Sequence, residues 1–221
     1  MCMIKVICFD LDGTLVDSEE VILKSFDKVF EVYAPEYRFN NLKEYRVYLG
    51  PILKDTFSRF TSDEEEIKDM IALFITYYKS IEKPLIKLYP SVLETMEYLY
   101  NSGYKMSLVS NKLKTSTDQS LDTLGLRKYF SSYVTLDRVG VGKPDPKCFS
   151  FVREDFNVSP SEIIMVGDNE CDIDAASNAG IKSVLCGYND WASDVLKKSK
   201  PTYVVNSFDE LIDVINKING E

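Results

Sequence analysis

Ile4-Lys5-Val6-Ile7-Cys8-Phe9-Asp10-Leu11-Asp12-Gly13-Thr14-Leu15 is an apolar run that stops abruptly at two acids one residue apart. Short, β-branched and closed by a turn signal, it reads as a strand buried on both faces. Four similar runs follow much later, at residues 105–109, 163–166, 182–185 and 202–205, and Tyr133-Val134-Thr135 adds a shorter candidate. Helix-period segments lie between them, as at residues 92–100 before Gly103 and 208–218 before Gly220. Strands alternating with helices of this length predict βαβ units, hence a Rossmann-like, doubly wound α/β core with a parallel sheet.

The interval after the first strand breaks that rhythm. Residues 16–87 contain no convincing strand, only helical patterns at residues 20–32 and 65–79. The second pattern places Ile67, Met70, Ile71, Phe74, Ile75 and Tyr78 at helical spacing. About seventy residues is far more than one crossover requires. The expectation is an all-helical cap at residues 16–87 inserted into a catalytic core of residues 1–15 and 88–221. Its aromatic and Met content reads as its own core. The acidic run Asp63-Glu64-Glu65-Glu66 should open a helix, where negative charge suits the N-terminal dipole.

Composition narrows the function. No apolar run in the 221 residues approaches the ~20 needed to span a bilayer, which argues against a membrane partner. The N-terminus lacks a charged leader followed by an apolar stretch, so a cytoplasmic location is expected. A net charge of −9 without a dense basic patch argues against nucleic acid. The scattered Cys2, Cys8, Cys148, Cys171 and Cys186, with no CxxC pair, read as reduced thiols. Cys8 and Cys186 fall in strand-like runs as small core residues, and Cys171 reads the same way although it lies among candidate site residues. The chain has no histidine, which removes Ser-His-Asp and Cys-His hydrolysis and leaves proton transfer to carboxylates.

Ligands of open α/β sheets bind beyond the carboxyl ends of the strands. Asp10 and Asp12 follow the first strand, and two acids there repel each other unless a cation or proton is shared. Ser110-Asn111-Lys112 follow the second, as donors suited to phosphate oxygens. Gly167-Asp168 follow a later one, with Asp172 and Asp174 beyond. Between them lies Gly142-Lys143-Pro144-Asp145-Pro146, in which Asp145 and Pro146 look like a helix cap and first turn, and Pro144 holds Lys143 extended. Each piece has a local explanation as a turn, a cap or surface charge. All four would have to hold together, in order, at one sheet edge.

The order and spelling of these pieces resemble the haloacid dehalogenase superfamily, in its phosphatase and phosphomutase branch. Asp10-Leu11-Asp12-Gly13-Thr14-Leu15 matches the first family motif in full, and Val109-Ser110-Asn111-Lys112 the second. Gly142 through Pro146 matches the third, and Gly167-Asp168 through Asp172 the fourth. The helical segment sits where members with a cap after the first strand carry it.

The resemblance implies Asp10 as a nucleophile forming an aspartyl-phosphate. Asp12 would protonate the leaving oxygen, then activate water, and offer its backbone carbonyl to a metal. Asp10 and Asp168 would give carboxylate oxygens to Mg²⁺, with Asp172 acting behind them through water or by orienting Lys143. Ser110 and the Asn111 backbone would hold phosphate oxygens, and Lys143 would neutralise phosphate and carboxylate charge.

Asp12, Gly13 and Thr14 disfavour a dehalogenase, and the intact set of Asp10, Asp12, Lys143 and Asp168 disfavours a mere phosphate sensor. A small-metabolite phosphatase is expected, with a sugar phosphomutase as the alternative; monomer and dimer stay equally open. Leu49-Gly50-Pro51-Ile52-Leu53-Lys54 and Cys186-Gly187-Tyr188 resemble phosphoglycolate-phosphatase-like members. Arg46, Tyr48 and Lys54 flank that first turn and read chiefly as a solvated helix face.

Overall fold

The run ahead of Asp10 is a strand with every residue buried. The computed structural model describes residues 3–220, so the reading of Cys2 lies outside it. In chain order the strands are β1 Val6–Phe9, β2 Val16–Asp17, β3 Lys87–Leu88, β4 Lys105–Val109, β5 Ser132–Val134, β6 Ile163–Gly167, β7 Lys182–Cys186 and β8 Tyr203–Val205. Six form one sheet in the order β5-β4-β1-β6-β7-β8, with every pair parallel. The fold is the expected α/β one.

Why β1 is apolar throughout follows from its two neighbours above and below. Ile7 and Phe9 face one layer with Leu108, Val166 and Phe208, while Val6 and Cys8 face the other with Met165, Phe149 and Ala175. Each fully buried apolar side chain contributes roughly 1.5–3 kcal/mol. Register then sets the site. Phe9 pairs with Leu108 on one side and Val166 on the other. Asp10 therefore leaves β1 beside the ends of β4 and β6, at the point where strand order reverses.

Residues between β2 and β3 are helical. The helices Glu19–Tyr33 and Glu64–Leu85 pack against each other, joined by 3-10 turns and the short helix Leu53–Phe57. The acidic run does open the second helix: the Asp63 side chain accepts from the N–H groups of Glu65 and Glu66. The aromatic residues form a core, as expected. Phe26 meets Phe74 with ring centres 4.8 Å apart, and Phe30 meets Phe60 at 4.8 Å. Met70 is buried with them.

One expectation fails at both ends of this segment. β2 and β3 are strands, pairing antiparallel through Val16↔Leu88 and Asp17↔Lys87. Two residues each are too few to show a period. The chain's exit and return are brought together by the fold, which makes the ribbon. Among the described residues no helix is long and apolar enough to cross a membrane.

Candidate active site

Lys143 is the hub of the cavity floor. Its ammonium donates to Asp10 Oδ1 at 2.9 Å, Asp172 Oδ1 at 2.6 Å and the Val109 carbonyl at 2.8 Å. Three donors meet three acceptors, so a buried lysine is satisfied. Burial opposes its charge, yet Asp10 and Asp172 hold it protonated well above the usual range. Asp172 is itself fixed: its Oδ2 accepts from the backbone N–H of Asp168 and of Asn169 at the start of the helix Glu170–Asn178.

Asp10, Asp168 and Asp172 each present a carboxylate oxygen, all within 4.8 Å of one another. Burial pushes the Asp10 carboxyl up to about 6, against the pull of Lys143. Burial, then Asp172 and Asp10, raise Asp168 well above the carboxylate range. Such a group holds protons it would surrender to a cation. An all-oxygen donor set of this kind fits a hard ion such as Mg²⁺.

The turn between β1 and β2 is shaped by the same crowding. Gly13 has φ +83°, and a Cβ there would lie 2.3 Å from Asp168 Oδ2. Only glycine lets this turn close over Asp168. The Thr14 hydroxyl donates to Asp168 Oδ1 at 2.9 Å, and the Trp191 indole N–H donates to Oδ2 at 3.0 Å. The Asn189 side-chain amide donates to the Gly13 carbonyl at 2.7 Å. Trp191 and Asn189 were not among the expected site residues. The nearby Cys186-Gly187-Tyr188 was the one sequence signal pointing to their loop.

Asp12 faces a different partner. The Lys112 ammonium lies 3.3 Å from Asp12 Oδ1 and 3.2 Å from Oδ2, and also donates to Tyr78 Oη at 2.8 Å and Ser120 Oγ at 3.1 Å. Lys112 was expected among phosphate donors beside Ser110, and it is instead engaged by these three groups. The Ser110 hydroxyl accepts from the Lys112 N–H at 3.3 Å, which leaves its own proton to give.

A cavity of about 320 Å³ lies over this floor, and Asp10, Asp12, Ser110, Asn111, Lys143 and Asp168 all line it. Its roof is apolar, with Ile52, Ile71 and Ile75 among the lining side chains. The 49–54 turn docks the roof onto the core. The Gly50 carbonyl accepts from Asn111 Nδ2 at 2.9 Å, and the Leu49 carbonyl from Asn169 Nδ2 at 3.3 Å. Gly50 has φ +102°, and a Cβ there would meet Asn169 Oδ1 at 2.2 Å. The Asn111 side chain also accepts from Lys143 N at 2.7 Å, so only its backbone is free to serve phosphate. Cys171 is buried with its Sγ toward the Gly50 carbonyl, and Cys8 and Cys186 are buried in the sheet.

Of the three flanking residues, Arg46 and Tyr48 depart from the expected solvated face and Lys54 keeps to it. Arg46 is paired with Glu19 and Asp190 and lies 5.6 Å from the centre of the Trp191 ring. Tyr48 packs in the aromatic core between Phe26 and Phe30. Lys54 is half-exposed and paired with Glu64 at 3.1 Å. The partners of Arg46 and Tyr48 lie far off in sequence. Asp145 does cap locally, accepting from Lys147 N at 2.9 Å, but the helix begins at Cys148, two residues past Pro146.

Residues 7–186 match the haloacid dehalogenase-like hydrolases. The pyrophosphatase PpaX of Halalkalibacterium halodurans is 33% identical over 213 residues, covering 96% of this chain and 97% of that protein. PpaX of Bacillus mycoides is 32% identical over 218 residues, covering 98% and 99%. The solved structure of a predicted phosphatase from Clostridium acetobutylicum superposes with a TM-score of 0.86 at 27% identity, covering 97% of this chain and 99% of that one. That of a predicted phosphoglycolate phosphatase from Haemophilus somnus gives 0.82 at 26% identity, covering 97% and 99%.

Proposed function

The chain belongs to the haloacid dehalogenase-like hydrolases, in their phosphatase branch, and from that premise we propose that it is a Mg²⁺-dependent phosphatase of a small phosphorylated metabolite, working through an aspartyl-phosphate at Asp10. The observation that carries this reading is the Lys143 ammonium 2.9 Å from Asp10, with Asp168 and Asp172 gathered beside it. We read residues 1–15 and 88–221 as the catalytic core and residues 16–87 as its cap. The β2–β3 ribbon at the two crossings and the docked Gly50 turn support that division.

Asp10 attacks phosphorus in line as the bond to the leaving oxygen breaks. Asp12 gives that oxygen a proton, then takes one from the water that attacks phosphorus and frees Asp10. Ser110 and the Asn111 backbone N–H hold phosphate oxygens, and Lys143 spreads positive charge over phosphate and Asp10. Asp10 and Asp168, with the Asp12 backbone carbonyl, would hold the ion, and Asp172 would keep Lys143 in place. When bound, Mg²⁺ supplies the positive charge that lets an anionic phosphate approach two carboxylates.

The roof favours a monoester with a neutral leaving group over pyrophosphate. The cations lining the cavity are Lys54, Lys112 and Lys143, and each already has an anionic partner. A second phosphate under Ile52, Ile71 and Ile75 would have to draw Lys54 away from the exposed Glu64 for its counter-charge.

The test is a panel of phosphorylated metabolites read for both phosphate release and isomer formation, in EDTA and with Mg²⁺ restored. Phosphate release that stops in EDTA and returns with Mg²⁺ is expected. Full activity in chelator removes the metal, and isomer without free phosphate replaces the phosphatase by a mutase.

A further inference from the structure

Among the described residues, Lys112 is the partly buried cation of the cavity that the proposed chemistry leaves without a task. Its ammonium reaches both oxygens of Asp12, at 3.3 Å and 3.2 Å. Its remaining partners come from two other segments. Tyr78, on the helix Glu64–Leu85, gives its hydroxyl oxygen at 2.8 Å, and its ring centre lies 4.3 Å from the ammonium. Ser120, on the helix Lys114–Leu124, gives Oγ at 3.1 Å and in turn donates to Glu82, back on the Tyr78 helix. One side chain thus ties the turn after β1 to a core helix and to the helical segment above the cavity.

Asp12 has two proton transfers to perform, and they differ in what aligns them. In the first, the leaving oxygen is anchored through phosphorus, so the substrate itself presents the atom to be protonated. In the second, the partner is a free water. It must be lined up by Asp12, and Asp12 by the protein alone. Loss of that alignment can cost about 10²-fold for a displacement near 1 Å.

Resting on Asp12 as the proton carrier, we propose that Lys112 is a positioning residue for the second step. It braces the Asp12 carboxylate while water adds to the phosphorylated Asp10, and it takes its own place from Tyr78. In that step the water oxygen bonds to phosphorus and the phosphorus–oxygen bond to Asp10 breaks. Asp12 accepts the water proton, which makes it the acid for the next turnover. Hydrolysis of the intermediate therefore depends on the Tyr78 helix being seated.

Lys112→Met and Tyr78→Phe, assayed on 4-nitrophenyl phosphate with Mg²⁺, separate this from a role in folding or phosphate binding. kcat/KM reports events up to phosphoryl transfer, and kcat includes the hydrolysis that follows. Lys112→Met should lower kcat by about tenfold to a hundredfold while kcat/KM stays within about threefold, so that KM falls with kcat. A burst of nitrophenol, about one per enzyme, should precede the slow phase as phosphorylated Asp10 accumulates. Tyr78→Phe should give the same pattern more weakly, and it decides the matter if Lys112→Met does not fold. Equal losses in kcat and kcat/KM without a burst, or an unchanged kcat, overturn the proposal. Turnover in wild type without phosphorylation of Asp10 overturns the proposed function as well. A variant that phosphorylates Asp10 but loses kcat/KM overturns only the role of Lys112.

Discussion

At the floor of the cavity, Asp10, Asp168 and Asp172 crowd three carboxylates around Lys143, at the price of raised Asp10 and Asp168. At the roof, Phe26, Phe30, Phe57 and Phe74 interlock with ring centres 4.8 to 6.4 Å apart, and the lining above the substrate space is apolar. The floor holds charge in an environment that disfavours it, which serves the proposed chemistry and costs stability. The roof does the reverse: it contributes stability and excludes water without touching phosphorus. The two should therefore respond oppositely to substitution.

Asp10→Asn gives the largest expected effect. An amide cannot act as this nucleophile, so kcat should fall by at least about 10⁴-fold, or some 5 kcal/mol. Stability should move the other way. The Asp10 carboxyl is raised from 3.8 to about 6, a displacement worth about 3 kcal/mol. Below about 4 both folded and unfolded states hold the proton. As pH rises toward 6 and beyond, the unfolded chain releases it first, and the metal-free wild type loses stability. Without Mg²⁺ at pH 7, Asp10→Asn should thus melt no lower than wild type and in fact higher, and Mg²⁺ should narrow the gap. A destabilised variant would break the contrast.

Phe26→Ala tests the roof and should show the complementary pattern. Removing a ring packed against Tyr48, Phe57 and Phe74 should cost about 3–5 kcal/mol in denaturant unfolding. Its remaining folded fraction should still phosphorylate Asp10. A loss of phosphoryl transfer larger than the loss of folded protein would mean that the roof takes part in the chemistry.

The same contrast explains what could be read from the chain. The floor was legible because it is spelled locally: Asp10, Ser110 and Asp168 directly follow β1, β4 and β6, Lys143 is marked by its own Gly-Lys-Pro loop, and Asp10-Leu11-Asp12-Gly13-Thr14 carries its turn with it. The parallel sheet was legible from its apolar runs, and the helices of residues 19–85 from their period. The β2–β3 ribbon was not, since two residues carry no periodicity and the pairing spans the whole helical segment. Nor were the tasks of Lys112, Arg46 and Trp191. Lys112 meets Asp12 from 100 residues away, and Arg46 meets Asp190 from 144. Lys112 and Asp12 are brought together by the pairing of β1 with β4, and Arg46 and Asp190 by how the helical segment lies on the core, which no local pattern encodes.

The central claim is that phosphorus passes through Asp10. Asp12→Asn, which lacks the base for hydrolysis, can be mixed with Mg²⁺ and an aryl phosphate, quenched in acid during turnover, and mapped by peptide mass. Phosphate on the peptide that contains Asp10, absent from the Asp10→Asn control, is the result predicted. Release of the aryl group with no phosphate on that peptide, or with phosphate on another residue, would contradict it.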